Sequence, residues 1–182
     1  MRVLAFAASN SSKSINRALV TYAVGRFYAL TPEAEIEFLD INDYEMPIYS
    51  ADREAAGGIP APAQAFFDRI GAADVILVSF AEHNGSTTAA WKNIFDWMSR
   101  INMKVWQDKP VVMLAASPGK RAGANVLASQ EGAAPFHGAN VKARHGIGEW
   151  HEAWDAEAKR PARDADITAI DRAIACLAPQ PA

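Results

Sequence analysis

The stretch AASNSSKSIN, residues 7–16, places four serines and two asparagines directly after a short apolar run. A helix N-terminus carries unsatisfied N–H groups and a partial positive charge, so a small anion fits there with little help from Lys or Arg. Ser9, Ser11, Ser12 and Ser14 would add hydroxyl donors, and Asn16 could fix the loop. The same residue types serve equally as a helix cap and turn, so the segment alone leaves both readings open. It contains neither G-x-G-x-x-G nor G-x-x-x-x-G-K-[ST]. It is therefore neither a dinucleotide fingerprint nor a nucleotide P-loop, and a single terminal phosphate is the anion that suits it.

Two further segments carry chemistry-bearing residues. FAEHNGSTTAAWKN (80–93) contains the turn signal Asn84-Gly85, and a glycine there would let a flat ring approach the backbone closely. Glu82 and His83 are acid–base residue types, but no carboxylate in the sequence is placed to tune His83, and both equally suit a solvated loop. AASPGKRAGAN (115–125) holds a tight turn at Ser117-Pro118-Gly119, followed by the paired cations Lys120 and Arg121. His83, His137, His145 and His151 lack metal-ligand spacing, so no metal is expected. The one cysteine, Cys176, cannot form an internal disulfide and is expected in a helix core within ITAIDRAIACLA.

The elements that must position these segments follow from periodicity. Short apolar runs at Arg2–Ala7, Glu35–Asp40, 74–80, 109–117 and 140–147 read as strands, the third buried on both faces. Helical spacing marks 14–30, 62–73, 87–101, 121–136 and 167–178. The Pro-, Gly- and Asp-rich stretch 41–62 reads as a long loop, and 149–166 as a charged connection. Alternating strands and helices predict a single α/β domain over 1–182. It would be a three-layer α/β/α sandwich on a five-stranded parallel sheet of order 2-1-3-4-5. Ligands of such sheets bind outside the carboxyl ends of the strands, where the order reverses. The three segments all fall at that edge, after strands 1, 3 and 4.

Composition narrows the partners. The chain has 182 residues, half of them hydrophobic, and a formal net charge of −3. That balance gives no basic face for nucleic acid or an anionic membrane surface. The N-terminal apolar run is too short for a signal-peptide core, and no stretch approaches the roughly 18–20 apolar residues of a membrane span. A soluble cytoplasmic protein is the expectation.

Taken together, the three segments resemble the NAD(P)H-dependent FMN reductases of flavodoxin-like fold, which include quinone, azo-dye and chromate reductases. SNSSKSIN matches the family's phosphate loop, S-x-R-x-x-S-x-N, at Ser9, Ser14 and Asn16. AEHNGSTTAAWKNIFDW matches P-E-Y-N-x-S/G-x-x-x-x-L-K-N-x-x-D-W at Glu82, Asn84, Ser86, Lys92, Asn93, Asp96 and Trp97. KPVVMLAASPGKRAG is similar to the family's strand and S-P-G turn, and YEMPIYSADRE to its loop after strand 2. The resemblance runs from about residue 1 to 148 and leaves 149–166 outside it. It implies bound FMN with NADPH or NADH as co-substrate. Ser9, Ser11, Ser14, Ile15 and Asn16 would form the phosphate end of that site. Ala81, Glu82, His83, Asn84 and Gly85 would lie along the ring, and Ser117 and Gly119 would complete the pocket. Ser11 stands where the family has arginine, with Lys13 two positions along, and Ala81 and His83 replace its Pro and Tyr. The activity implied is hydride transfer to FMN and then to a small-molecule acceptor, in ping-pong order and without a catalytic side chain. A homodimer or dimer of dimers is implied as well, through the helices after strands 3 and 4. A non-catalytic FMN electron carrier and a flavin-free binding relative are the alternatives.

Overall fold

The computed structural model describes residues 1–179. Its strands are β1 (Arg2–Ala8), β2 (Glu35–Asp40), β3 (Val75–Phe80), β4 (Pro110–Ala116) and β5 (Asn140–Ile147). All pairings are parallel, and the order is β2-β1-β3-β4-β5. The helices are α1 (Ile15–Leu30), α2 (Ala51–Gly57), α3 (Ala61–Ala72), α4 (Ala89–Ile101), α5 (Ala124–His137), α6 (Trp150–Ala153) and α7 (Asp164–Ala175). None of the helices among the described residues is long and apolar enough to cross a membrane.

Strand side chains alternate between the two faces of the sheet, and two cores result. Leu4, Phe6, Ile76, Val78 and Met113 pack with Phe66 of α3, Trp91 of α4 and Val126 of α5. Val3, Ala5, Leu77, Val112 and Leu114 pack with Leu19 and Phe27 of α1 and Ile170 and Ile174 of α7. Phe6 anchors the first core, with ring centroids 5.2 Å from both Phe66 and Trp91. Burial of each such side chain contributes about 1.5–3 kcal/mol.

The stretch 41–62, expected to be a loop, contains a 3-10 turn at Ile41–Tyr44 and the helix α2. α2 buries none of its residues, so it has no apolar stripe for periodicity to detect. Its signals are at its ends. Ser50 Oγ accepts from the Arg53 amide, Asp52 and Glu54 sit in the first turn, and Gly58 closes it at φ 71°. α4 holds this segment against the sheet. Asn93 Oδ1 accepts from the Tyr49 amide at 2.8 Å, its Nδ2 donates to the Met46 carbonyl at 3.1 Å, and Trp97 Nε1 donates to the Pro47 carbonyl at 2.7 Å.

The charged connection 149–166 is also structured. α6 is followed by a two-stranded antiparallel ribbon pairing Trp154–Asp155 with Arg160–Pro161. Trp150 is buried, and Trp154 stacks on it at 4.4 Å. The ends of the arm are clasped by Arg163 Nη2 on Glu149 Oε2 at 2.8 Å and by the Ala162 amide on the Ala153 carbonyl at 2.9 Å. The last helix starts at Asp164 rather than at residue 167, because Asp164 and Asp166 occupy its first turn. Its core stripe is Ile170, Ala173, Ile174 and Leu177. That stripe leaves Cys176 exposed at the C-cap, not in the core, with Sγ donating to the Arg172 carbonyl at 3.3 Å.

Gly146 near the end of β5 runs so close to the loop before α5 that a Cβ there would collide with the Ala122 carbonyl oxygen. Gly146→Ala is therefore expected to lower stability by about 1–3 kcal/mol. Urea denaturation checks this.

Candidate functional site

The chain leaves β1 at Ala8 and makes a tight polar loop before α1. Ser9 Oγ accepts from the Ser11 amide at 3.4 Å, and Ser11 Oγ accepts from the Lys13 amide at 3.3 Å. Ser14 caps α1, its Oγ accepting from the Arg17 amide at 3.2 Å. The Ile15 and Asn16 amides of the first helical turn are left facing the helix end, where an anion is favoured. Arg17 is not free to reach it, being paired with Asp40. The Asn42 amide, together with Arg17, holds the Asp40 carboxyl below the usual carboxylate range.

Asn16 fixes this helix end to the sheet. The residue is 2% exposed. Its Oδ1 accepts from Ser79 Oγ and from the Ala116 amide, both at 2.8 Å, and its Nδ2 donates to the Ala116 carbonyl at 3.1 Å. One side chain thereby joins α1 to the carboxyl ends of β3 and β4.

After β3 the chain forms a small antiparallel ribbon pairing Glu82–His83 with Ser86–Thr87. Its turn is Asn84-Gly85, with φ of 53° and 76°. Two consecutive positive φ angles are the two-residue hairpin geometry for which Asn-Gly is the favoured sequence. Glu82 is committed to the protein: its Oε2 accepts from the Val126 amide at 3.0 Å, at the N-terminus of α5. His83 is exposed. Thr88, buried at the start of α4, donates to the Ala8 carbonyl and accepts from the Trp91 amide, each at 3.2 Å.

The loop after β4 is tied to the end of β5. The Ser117 amide donates to the Ile147 carbonyl at 3.0 Å, and the Trp150 amide to the Ser117 carbonyl at 3.2 Å. Ser117 Oγ accepts from the Gly119 amide at 3.1 Å. Lys120 and Arg121 are exposed.

These three loops enclose a cavity of about 330 Å³. The first supplies Ser9, Ser11, Lys13, Ser14, Ile15 and Asn16. The second supplies Ala81, Glu82 and His83, and the third Ala116, Ser117 and Pro118. Asn84, Gly85 and Gly119 lie beside this lining rather than in it. Lys13 is the only cation in the lining, and the only carboxylate, Glu82, is turned to α5. Hydroxyls, helix-end amides and one lysine make a donor set that fits a terminal phosphate, as an FMN site requires. Sequence reasoning did not foresee that Glu82 caps α5 or that Asn93 and Trp97 hold the loop after β2. No local signal identifies those partners, which lie 44 to 50 residues away.

Asn16→Ala would leave the Ser79 hydroxyl and both polar groups of Ala116 without this partner in a buried setting. The expected loss is roughly 1–3 kcal/mol, read from a thermal or urea melt.

Residues 1–151 match the model of the NADPH-dependent FMN reductase family. Over 119 residues the chain is 34% identical to an NADPH:quinone oxidoreductase of Arabidopsis thaliana, covering 65% of this chain and 59% of that protein. An NAD(P)H-dependent FMN reductase of Pseudomonas aeruginosa is 35% identical over 120 residues, 66% of this chain and 62% of its own length. The matched part thus spans about 60% of the length of these curated relatives. Among solved structures, the flavoenzyme NAD(P)H:(acceptor) oxidoreductase FerB from Paracoccus denitrificans superimposes with a TM-score of 0.74 at 23% identity, covering 97% of this chain and 94% of that one. Sheet order, the placement of the three loops and the match over residues 1–151 lead to one conclusion: the chain belongs to the NADPH-dependent FMN reductase family.

Proposed function

We propose that the protein is an FMN-dependent NAD(P)H oxidoreductase acting on a small-molecule acceptor such as a quinone, a flavin or an azo compound. The observation that carries this reading is the phosphate-suited cavity at the carboxyl ends of β1, β3 and β4, in a chain of this family. Ser9, Ser11, Lys13, Ser14 and the start of α1 would hold FMN there, and that group would supply the redox chemistry between NAD(P)H and the acceptor, in the ping-pong order of two half-reactions.

The protein's own contribution is binding and orientation. Ser9, Ser11 and Ser14 offer hydroxyls and the start of α1 offers amides, with Ile15 and Asn16 as the backbone of that turn. Lys13 supplies the charge that the family's loop arginine would otherwise give. The Asn84-Gly85 turn of the ribbon at 82–87 lies beside the cavity, and its backbone amides are the candidates for favouring a developing negative charge. Ser117 lines the cavity from the loop after β4, with Gly119 beside it. No side chain is asked to act as nucleophile or general base, so the chemical step needs no catalytic residue.

A homodimer also belongs to this reading. The buried stripe of α4 (Trp91, Ile94, Trp97 and Met98) is already spent on the core. Phe136, 77% exposed, and Met103, 54% exposed, remain at the far ends of α5 and α4. Their neighbours are joined, His137 Nδ1 lying 3.0 Å from the Met103 carbonyl oxygen. These two exposed apolar side chains are what supports a second copy as their cover. Light scattering on the eluted peak reads the mass directly, and a clean monomer at micromolar concentration would refute the pairing.

The deciding experiment adds FMN to the purified protein and follows NADH and NADPH oxidation with a quinone. Turnover is the expected result. A yellow protein without turnover would make it an electron carrier, and a colourless one would remove both flavin readings. Lys13→Ala is expected to weaken FMN binding about tenfold or more, the worth of one charge-assisted contact. Ser14→Ala should also cost about 1 kcal/mol of stability as a lost helix cap. Fluorescence titration of FMN reads the affinity of both variants and a urea melt the stability of the second, and unchanged FMN affinity in both would count against the assignment.

A further inference from the structure

A second concavity, of about 620 Å³, lies on the outer face of α1. Ser14, Ala18, Thr21 and Gly25 form its floor, three or four residues apart and so on one helical face. Gly25 adds to the room, since a Cβ there would meet nothing within 4 Å. Tyr22 and Trp154 stand beside this floor, with ring centroids 6.2 Å apart in edge-to-face contact. Trp154 is only partly covered, but its plane is fixed by stacking on buried Trp150.

The charge here is one-sided. Lys13, Arg17, Arg26 and Lys159 line the groove, and no carboxylate does. Arg17 is paired with Asp40, and Arg26 with Asp171 at 2.6 Å, whereas Lys13 and Lys159 have no carboxylate partner among the described residues. Lys159 is set by a built turn. Asp155 Oδ1 accepts from the amides of Glu157 and Ala158, and Lys159 itself has φ of 51°. A chain of net charge −3 therefore carries a concave spot with two unpaired ammonium groups beside two aromatic rings. Trp154 and Lys159 lie beyond residue 151, where the family match ends, so the arm supplies a wall that the matched residues do not.

We propose that this groove binds a planar aromatic anion of the kind a nucleoside monophosphate presents. The ring packs against Tyr22 and Trp154, and Lys13 and Lys159 take the anionic group. Tyr22, Trp154 and Lys159 lie outside the lining of the strand-end cavity, whereas Lys13 and Ser14 line both.

The test is isothermal titration of the full chain with AMP at low ionic strength, with and without saturating FMN. Adenosine supplies the ring without the charge, and inorganic phosphate the charge without the ring. AMP is expected to saturate, with adenosine and phosphate each about tenfold weaker or more. Lys159→Glu and Trp154→Ala should each weaken AMP by a similar factor while FMN affinity stays unchanged. Lys159 is exposed, so its variant keeps the test decisive if Trp154→Ala fails to fold. An AMP affinity untouched by Lys159→Glu would overturn the proposal. So would displacement of AMP by FMN with both variants silent, which would put the nucleotide in the strand-end cavity. Phosphate binding as tightly as AMP, or no saturation at all, would overturn it too.

Discussion

The Asn16 amide accepts from Ser79 and from the Ala116 backbone while donating to the Ala116 carbonyl, all out of contact with water. A parallel sheet leaves the carboxyl end of each strand open, and three separate loops leave it here. Asn16 bonds two of those ends to the start of α1, so the helix end cannot drift from the sheet. Thr88 makes the corresponding tie from α4 back to Ala8 at the end of β1. A cavity that relies on backbone amides needs such ties, because amides cannot be re-aimed by choosing another rotamer. At the strand ends the side chains of Asn16, Ser79 and Thr88 are thus hydrogen-bonded within the protein.

Charge is handled with similar economy. The loop before α1 has a single lysine where the family's pattern has an arginine two positions earlier. Glu82 would oppose an anion if it stood free, but the α5 N-terminus absorbs its charge. Arg17 lies one turn into α1, yet Asp40 engages it. The field at the cavity is therefore set by the helix end, the hydroxyls and Lys13, rather than by a cluster of basic side chains.

Much of this was legible in the sequence. VILVSF, apolar but for Ser79, reads as a central strand, and the alternation of strands with helices points to the common order that the sheet has. The clustering of the three loops followed from that topology, because ends of parallel strands share an edge. What was not legible depended on partners rather than pattern. α2 buries nothing and so shows no periodicity, and the arm's helix and ribbon are too short to have one. Glu82, Asn93 and Trp97 are identifiable as motif residues, but which atoms they serve depends on segments more than 40 residues away. Cys176 sits one residue from the core stripe of its helix, and an error of one position moves a side chain by 100°.

The clasp at Glu149 and Arg163 has an evolutionary consequence. A segment whose two ends are bonded together presents the same pair of attachment points to the fold, whatever lies between them. Lengthening such a segment costs little, since loop-closure entropy grows only with the logarithm of length. The exposed tip from 156 to 160, beyond buried Trp150 and Ala153, is therefore the part of this architecture most open to replacement or insertion without disturbing the sheet. Divergence among proteins built on this frame should concentrate there rather than at the start of α1.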